Sequence, residues 1–181
     1  MGRACLPKRF APRTDAGFTM IEMMIVVAMS AILLAVASPS FMSLVRTNRL
    51  DVAAGDLRSA VMLARSEAVK RAALTVVEPV SGSDWTSGVR VYVDADLDPT
   101  NAYLASADTL IRQFANFRNL TMSGAQPARL AFDGRGQNVA LAATAAARLP
   151  AVSTVALCIA PSRRDIQINR AGYVSYANAS C

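Results

Sequence analysis

Histidine is absent from this 181-residue sequence, and the sites that depend on it are excluded. These include Ser-His-Asp and Cys-His catalysis, histidine-ligated zinc and the commonest general base near neutral pH. Cysteine is scarce as well, because Cys5, Cys158 and Cys181 show none of the CxxC spacings that mark a metal or redox site. The sequence therefore offers little material for catalysis, and no cofactor is expected.

Hydrophobic residues, in contrast, make up 53% of the chain, and the excess lies between Phe18 and Ala37. About 20 helical residues span roughly 30 Å, the thickness of a bilayer core. Residues 1–17 before this segment are polar and carry four basic residues and one acidic residue. Their net positive charge is half of the net charge of the chain, which is +6. Basic residues favour the cytoplasmic side. The segment is therefore predicted to be a single-pass anchor with its C-terminal side outside.

Two other interpretations of the N-terminus compete with processing near Gly17. One is a secretory signal peptide cleaved after Ala37, and the other is an unprocessed anchor. Both leave Glu22 unexplained, because a carboxylate in an apolar span costs about 2.5–3.5 kcal/mol on insertion scales. Cleavage after Gly17 would create an α-amine on Phe18, one helical turn from Glu22. The two charges would neutralise each other, within one chain or between neighbours, and set the register of packed helices.

The run AGFTMIE, residues 16–22, followed by the apolar stretch, resembles the prepilin signature of type IV pilins and type II secretion pseudopilins. The resemblance implies cleavage between Gly17 and Phe18 by a prepilin peptidase and N-methylation of Phe18. It also implies insertion in the bacterial inner membrane and assembly guided by Glu22 against a neighbour's N-terminus. Met20 stands where the family more often has leucine, which is a minor departure.

Helical periodicity continues beyond the membrane segment and predicts one long helix from about residue 18 to about residue 73. Residues 18–38 are the expected transmembrane and assembly helix, and residues 39–73 its amphipathic continuation. Pro39 is predicted to kink the helix near the membrane exit. The predicted apolar face consists of Phe41, Leu44, Val45, Val52, Ala53, Leu57, Ala60, Val61, Ala64 and Ala68.

From Leu74 the period changes to two, which predicts an antiparallel sheet or small sandwich packed on the helix, in an α+β chain. The alanine-rich stretch Ala140–Ala151 is expected to be a loop. The predicted strands are Thr75–Val80, Val89–Val93, Thr109–Phe114, Leu120–Met122, Arg129–Phe132, Thr154–Ile159, Arg164–Asn169 and Tyr173–Tyr176.

Several segments in order look like those of the GspH/FimT pseudopilins. They are Ala64–Arg71, Trp85–Asp94, Asp108–Arg112, Phe132–Gly136, Leu157-Cys158 and Ile166–Gly172. This resemblance implies the pseudopilin fold, with residues 74–181 as a β-rich periplasmic domain. It further implies a minor pilin or pseudopilin without catalysis of its own. Its partners would be other such subunits, in the tip or priming complex of a type IV pilus or type II secretion pseudopilus.

Asp94, Asp96 and Asp98 alternate as they do at the start of an EF-hand calcium loop. That loop needs glycine at its sixth position and glutamate at its twelfth, where this chain has Pro99 and Ala105. A solvated acidic turn is therefore favoured over a loose calcium site. A hydrolase built on these carboxylates lacks a partner base or nucleophile motif.

Cys158 and Cys181 both lie on the predicted periplasmic side, where disulfides form. A bridge between them would close a loop of about 24 residues, worth about 3 kcal/mol on the chain-entropy model. Cys5 would be lost with the leader. Two buried free thiols are the alternative.

Arg163, Arg164 and Arg170 lie inside that loop and near two tyrosines, a combination that can bind phosphates and stack on bases. Some FimT-like proteins are DNA receptors in natural transformation and use a basic C-terminal segment with a Gly-Arg motif. The corresponding stretch here, residues 172–175, reads GYVS and lacks the arginines after glycine. A DNA-binding minor pilin is therefore the alternative to a purely structural subunit.

Overall fold

The computed structural model describes residues 17–96, 102–141 and 151–181. The chain divides into two compact units, Met1–Met42 and Ser43–Cys181. Helix α1 (Met20–Arg71) begins in the first unit and ends in the second, and all of the strands described follow it. A long N-terminal helix followed by antiparallel strands confirms the predicted α+β fold. The helix ends lie within two residues of those predicted.

The first unit consists, in its described part, of the apolar half of α1. Every side chain described between residues 17 and 42 is exposed. This half is long and apolar enough to cross a membrane. The helix continues through Pro39, and the kink at this residue stays a prediction.

In the second unit, α1 packs one face against the sheets, in steps of three and four residues. The prediction is right for much of this face but wrong for Val52 and Leu44, and for Phe41 at the end of the first unit, because all three are exposed. Val52 lies off the buried stripe, and Phe41 and Leu44 precede the first buried residue of the helix. The buried face consists of Leu50, Ala53, Ala54, Leu57, Ala60, Val61, Ala64 and Ala68.

The strands form two antiparallel sheets, one with the order β3-β2-β1-β5-β6 and one with the order β4-β7-β8-β9. The first sheet contains β1 (Thr75–Ser81), β2 (Asp84–Val93), β3 (Thr109–Phe114), β5 (Leu130–Phe132) and β6 (Asn138–Val139). The second contains β4 (Thr121–Met122), β7 (Ser153–Ile159), β8 (Ser162–Ile168) and β9 (Val174–Ser180).

The main core of the second unit lies between α1 and both sheets. Trp85 and Phe132 are fully buried in it, together with Leu157 and Ile166 from the second sheet. The Trp85 indole donates a hydrogen bond from Nε1 to the Pro127 carbonyl oxygen at 2.8 Å. A smaller cluster around Val76, Tyr92 and Ala131 occupies the other face of the first sheet, because side chains alternate along its strands.

The strand predictions are right in number and order except that β6, only two residues long, was missed. Strand β2 begins five residues earlier than predicted, because the Ser81–Asp84 pair closes a hairpin with Gly82 at φ 53°. Strand β9 continues to Ser180, beyond the predicted end, through its pairing with β8. The predicted alanine-rich loop falls mainly on residues 142–150, outside the described residues.

Candidate assembly site

A threonine caps the start of α1. The Thr19 hydroxyl oxygen accepts a hydrogen bond from the Glu22 N–H at 3.3 Å, and its carbonyl accepts one from the Met23 N–H at 3.2 Å. Threonine followed three residues later by glutamate is the capping-box pattern. Glu22 also lies in the first turn, where the helix dipole favours negative charge. From the sequence Glu22 was predicted to have only a pairing role, and this cap was not predicted, although the T-x-x-E pattern is visible there.

The predicted cleavage bond lies just outside the helix. Gly17 and Phe18 precede the first helical residue, and both are exposed. A bond outside the helical hydrogen-bonding pattern is open to a peptidase. Cleavage at Gly17 and methylation of Phe18 stay predictions.

The side chains of the apolar half of α1 are exposed on all sides of the helix. Glu22 is its one charged residue, and the side chains around it are methionine, isoleucine, valine and leucine. The Ser30 hydroxyl donates to the Val26 carbonyl oxygen at 2.7 Å, so this polar group is satisfied within the helix itself. Such a surface matches lipid or other apolar helices.

Cys158 and Cys181 form a disulfide, with Cα atoms 6.0 Å apart. Cys158 lies in β7 and is buried, and Cys181 follows the last residue of β9. Strand β8 lies between these two strands, so the bond ties the C-terminus across it to the middle of the sheet. The predicted pairing is confirmed.

Two of the three arginines proposed for DNA contact have carboxylate partners. Arg163 donates from Nη2 to Asp165 Oδ2 at 2.9 Å, and Arg164 donates from Nε to Asp51 Oδ1 at 2.8 Å. The Arg164 side chain is only 17% exposed. Arg170 is exposed beyond the end of β8. A phosphate would therefore have to compete with internal ion pairs at two of the three positions.

The C-terminal tyrosines lie beside other arginines. The Arg58 guanidinium carbon is 5.5 Å from the ring centre of Tyr176, and that of Arg65 is 4.9 Å from the ring centre of Tyr173. The Tyr176 hydroxyl donates to the Ala54 carbonyl oxygen at 3.1 Å. Burial raises the pKa of Tyr176, although nearby Arg58 opposes this change. Neither contact was predicted, because each arginine lies more than 100 residues from its tyrosine in the sequence.

The acidic loop after β2 gathers a different set of aspartates from the one predicted. Asp94 and Asp96 lie with Asp108, with one carboxylate oxygen from each within 4.8 Å of the others, and Asp98 is outside the described residues. Asp108 accepts hydrogen bonds from the N–H groups of Ala95 at 3.2 Å and Leu104 at 2.8 Å. Its carboxylate therefore holds both ends of the loop together, which is a structural role.

A buried carboxylate on the first sheet was also missed. Glu78 is 2% exposed and lies opposite Arg90, with Oε1 2.9 Å from Arg90 Nη2. Glu78 also accepts hydrogen bonds from the Tyr103 N–H at 3.0 Å and the Tyr92 hydroxyl at 3.1 Å. Burial, and then the Glu78 charge, raise the pKa of Tyr92 well above its usual range. The network anchors the segment after β2 to the sheet.

Two family models match the chain. The model described as type II transport protein GspH matches residues 53–172, and the prokaryotic N-terminal methylation motif matches residues 12–38. The second match contains the predicted cleavage bond, the capped helix start and most of the apolar half of α1.

Among solved structures, the type IV minor pilin FimU of Pseudomonas aeruginosa is similar in two crystal forms. Both are 24% identical to this chain, with TM-scores of 0.53 and 0.52. The alignments cover 72% and 71% of this chain and 90% and 92% of FimU. At this identity the likeness shows the fold. A comparison with curated proteins gave no match.

Proposed function

Because this chain belongs to the GspH family of type II transport proteins, we propose that it is a minor subunit of a type IV pilus or type II secretion pseudopilus. Pilins and pseudopilins are structural subunits, so the role is assembly and no reaction is assigned. One observation carries the proposal: the N-terminal methylation motif spans the start of a helix whose apolar side chains are exposed. The helix needs lipid before assembly and sister helices afterwards.

Maturation prepares the helix start for packing. A prepilin peptidase would cut between Gly17 and Phe18, and methylation would follow on the new amine. The leader would stay on the cytoplasmic side and the second unit would enter the periplasm. Phe18 would then lie two residues before the first residue of α1 and one turn from Glu22.

Assembly would follow from the charge of Glu22. A carboxylate among apolar helices is unfavourable unless an opposite charge lies nearby. The amine of a neighbouring subunit supplies that charge only when the two helices are in the correct axial register. Glu22 would therefore favour one register over the others, in the same way that a buried polar residue does in coiled coils. A position in the tip or priming complex is part of this proposal.

Replacing the carboxylate by its isosteric amide tests the proposal. We expect Glu22→Gln to lower the fraction of the chain in filaments sheared from its own cells by about tenfold or more, for a lost pairing of at least about 1.4 kcal/mol. Its processed mass should be unchanged apart from the substitution. Asp56→Asn, which makes the same acid-to-amide change at an exposed residue of the same helix, is the matched control and should assemble normally. Normal assembly of Glu22→Gln would contradict the mechanism.

A DNA-binding role is the alternative, and it rests on Arg163, Arg164 and Arg170. The exposure of Arg170 supports it, whereas the carboxylate partners of the other two weaken it. Gel shifts with the detergent-solubilised full chain separate the two roles. Salt-sensitive binding that Arg163→Ala/Arg164→Ala removes, and that Arg112→Ala leaves intact, would favour the receptor. The structural proposal predicts no such binding.

A further inference from the structure

A groove of about 680 Å³ lies between the amphipathic half of α1 and the turn from β8 to β9. All of its lining residues belong to the second unit. The helix contributes Arg58, Met62, Arg65, Ser66, Val69 and Lys70, and spacings of three and four residues among them place these side chains on one face. The residues used below are Arg58, Met62, Arg65, Val69, Lys70 and Tyr173.

The floor of the groove is apolar and exposed. Met62 and Val69 are each 52% exposed, and Tyr173 is 65% exposed. These three side chains form one contiguous apolar patch. Such a patch indicates an interaction site, whereas single exposed apolar residues are common on protein surfaces. Methionine adapts to irregular apolar partners, and tyrosine offers a rigid contact area. This combination is typical of an interface core that another protein side chain covers.

The rim of the groove is basic. Arg58, Arg65 and Lys70 line it, and none of the lining residues in the described part of the chain is acidic. Lys70 pairs with Glu67 at 3.4 Å, whereas neither Arg58 nor Arg65 belongs to any ion pair among the residues that the structure describes. Guanidinium groups bind carboxylates with two parallel hydrogen bonds. The rim is therefore complementary to a carboxylate.

The wall formed by the β8–β9 turn is held in place. Arg65 donates from Nε to the Gly136 carbonyl oxygen at 3.0 Å. Gly172, at φ +77°, packs so closely that a Cβ there would collide with the Gly136 carbonyl oxygen and lie 2.8 Å from Arg65 Nε. The Asn169 side chain accepts a hydrogen bond from the Tyr173 N–H at 2.9 Å. The groove therefore exists before any partner arrives, which limits the ordering cost of binding.

We propose that this groove docks a segment of a neighbouring filament subunit, in which a carboxylate lies next to an apolar side chain. The carboxylate would meet Arg58, and the apolar side chain would cover Met62 and Val69. A nucleic acid fits less well, because an apolar floor offers phosphates nothing, and Arg65 already contacts the Tyr173 ring. The inference rests on the proposed filament role and adds a contact outside the membrane segment.

Photocrosslinking of the full chain in its own cells tests the groove. Met62→p-benzoylphenylalanine should form an adduct with a second pilin-type subunit, and mass spectrometry should place the link in a peptide that contains Asp or Glu. Val52→p-benzoylphenylalanine is the matched control, since Val52 is 57% exposed on the same helix but outside this groove. Its adduct should be insensitive to the charge changes below.

Charge reversal then shows whether the carboxylate matters. Arg58→Glu should lower the Met62 adduct by about tenfold or more, and replacing the linked carboxylate in the partner by lysine should restore it. Arg112→Glu, which makes the same charge change at an exposed residue of β3, should leave the yield unchanged. The Cys158–Cys181 bond, assayed as the absence of free thiol, checks that Arg58→Glu folds.

Four results would overturn the groove proposal: no protein adduct at Met62, an adduct with DNA or lipid instead, a linked peptide without a carboxylate, or a yield that Arg58→Glu does not change. None of these affects processing at Phe18. A chain that starts at Phe18 would therefore still support the proposed function. A chain that keeps its leader would contradict that function whatever the crosslinks show.

Discussion

The two halves of helix α1 differ in where their apolar surface goes. In the first unit Leu33 is 70% exposed, and its apolar neighbours are exposed to a similar degree. In the second unit Leu57 is 0% exposed, beneath the two sheets. One helix thus contains a half that depends on molecules outside the chain and a half that completes a core within it. Assembly and stability are therefore expected to respond to different residues.

The largest expected effect separates the halves directly. Leu57→Ala should lower the free energy of unfolding of the second unit by about 2–5 kcal/mol, because it removes a fully buried side chain and leaves a cavity. Leu33→Ala should leave this transition unchanged. Urea unfolding of the full chain in detergent, followed by the fluorescence of Trp85, measures both, since the chain has one tryptophan and it lies in this core. Equal effects of the two substitutions would contradict the division.

Removal of the disulfide should have the next largest effect on the free energy of unfolding, again in the second unit alone. Cys158→Ser/Cys181→Ser should lower the free energy of unfolding by about 3 kcal/mol, because the unfolded chain regains the freedom of the closed loop. Cys5→Ser is the control and should have no effect on the mature protein, because the proposed cleavage after Gly17 removes that residue with the leader. Unchanged unfolding of the double variant would show that the bond adds no stability.

A smaller change, this time an increase in the free energy of unfolding, is expected from a substitution at the end of α1. Ala72 has φ 50°, and the Ala73 N–H bonds to the Ala68 carbonyl oxygen at 3.2 Å, which is the arrangement that glycine usually closes. Ala72→Gly should raise the free energy of unfolding by about 1 kcal/mol, because alanine is strained at positive φ. Ala73→Gly, outside the left-handed region, should give no gain. A loss of stability in Ala72→Gly would refute this account of the helix end.

The smallest effect concerns an exposed ion pair in the amphipathic half. The hydrogen bond from Arg71 to Glu67, 2.7 Å long, lowers the pKa of the Glu67 carboxyl below its usual value. The pair therefore contributes stability above the unfolded pKa, and this contribution is lost as the pH falls through the folded pKa. An NMR titration should show the pKa of Glu67 rising in Arg71→Ala, and less in Lys70→Ala. A larger rise in Lys70→Ala would reverse the assignment.

Much of the fold was predictable because its signals are local. The apolar run, the three-and-four spacing of α1 and the change to a period of two near Leu74 each reflect one element's own side chains. The ends of β2 and β9 were not predictable in the same way. Strand β9 extends because β8 lies beside it, and the alanines and polar residues at its end carry little strand preference of their own.

The residues of the candidate site also divide into those with a local sequence signal and those that only packing brings together. The segment Gly17–Glu22 is contiguous, so its pattern could be recognised, and the bond of Cys158 to Cys181 followed from a choice among few cysteines. The partners of Arg164 and of Tyr173 could not be found from spacing. Asp51 lies 113 residues from Arg164, and only packing of α1 on the second sheet brings the two together.

The intact mass and N-terminal sequence of the protein from the membranes of its own cells test the central claim most directly. The account predicts a chain that begins at N-methylated Phe18 and retains its Cys158–Cys181 bond. A chain that begins at Ser38, or one that retains Met1, would contradict it.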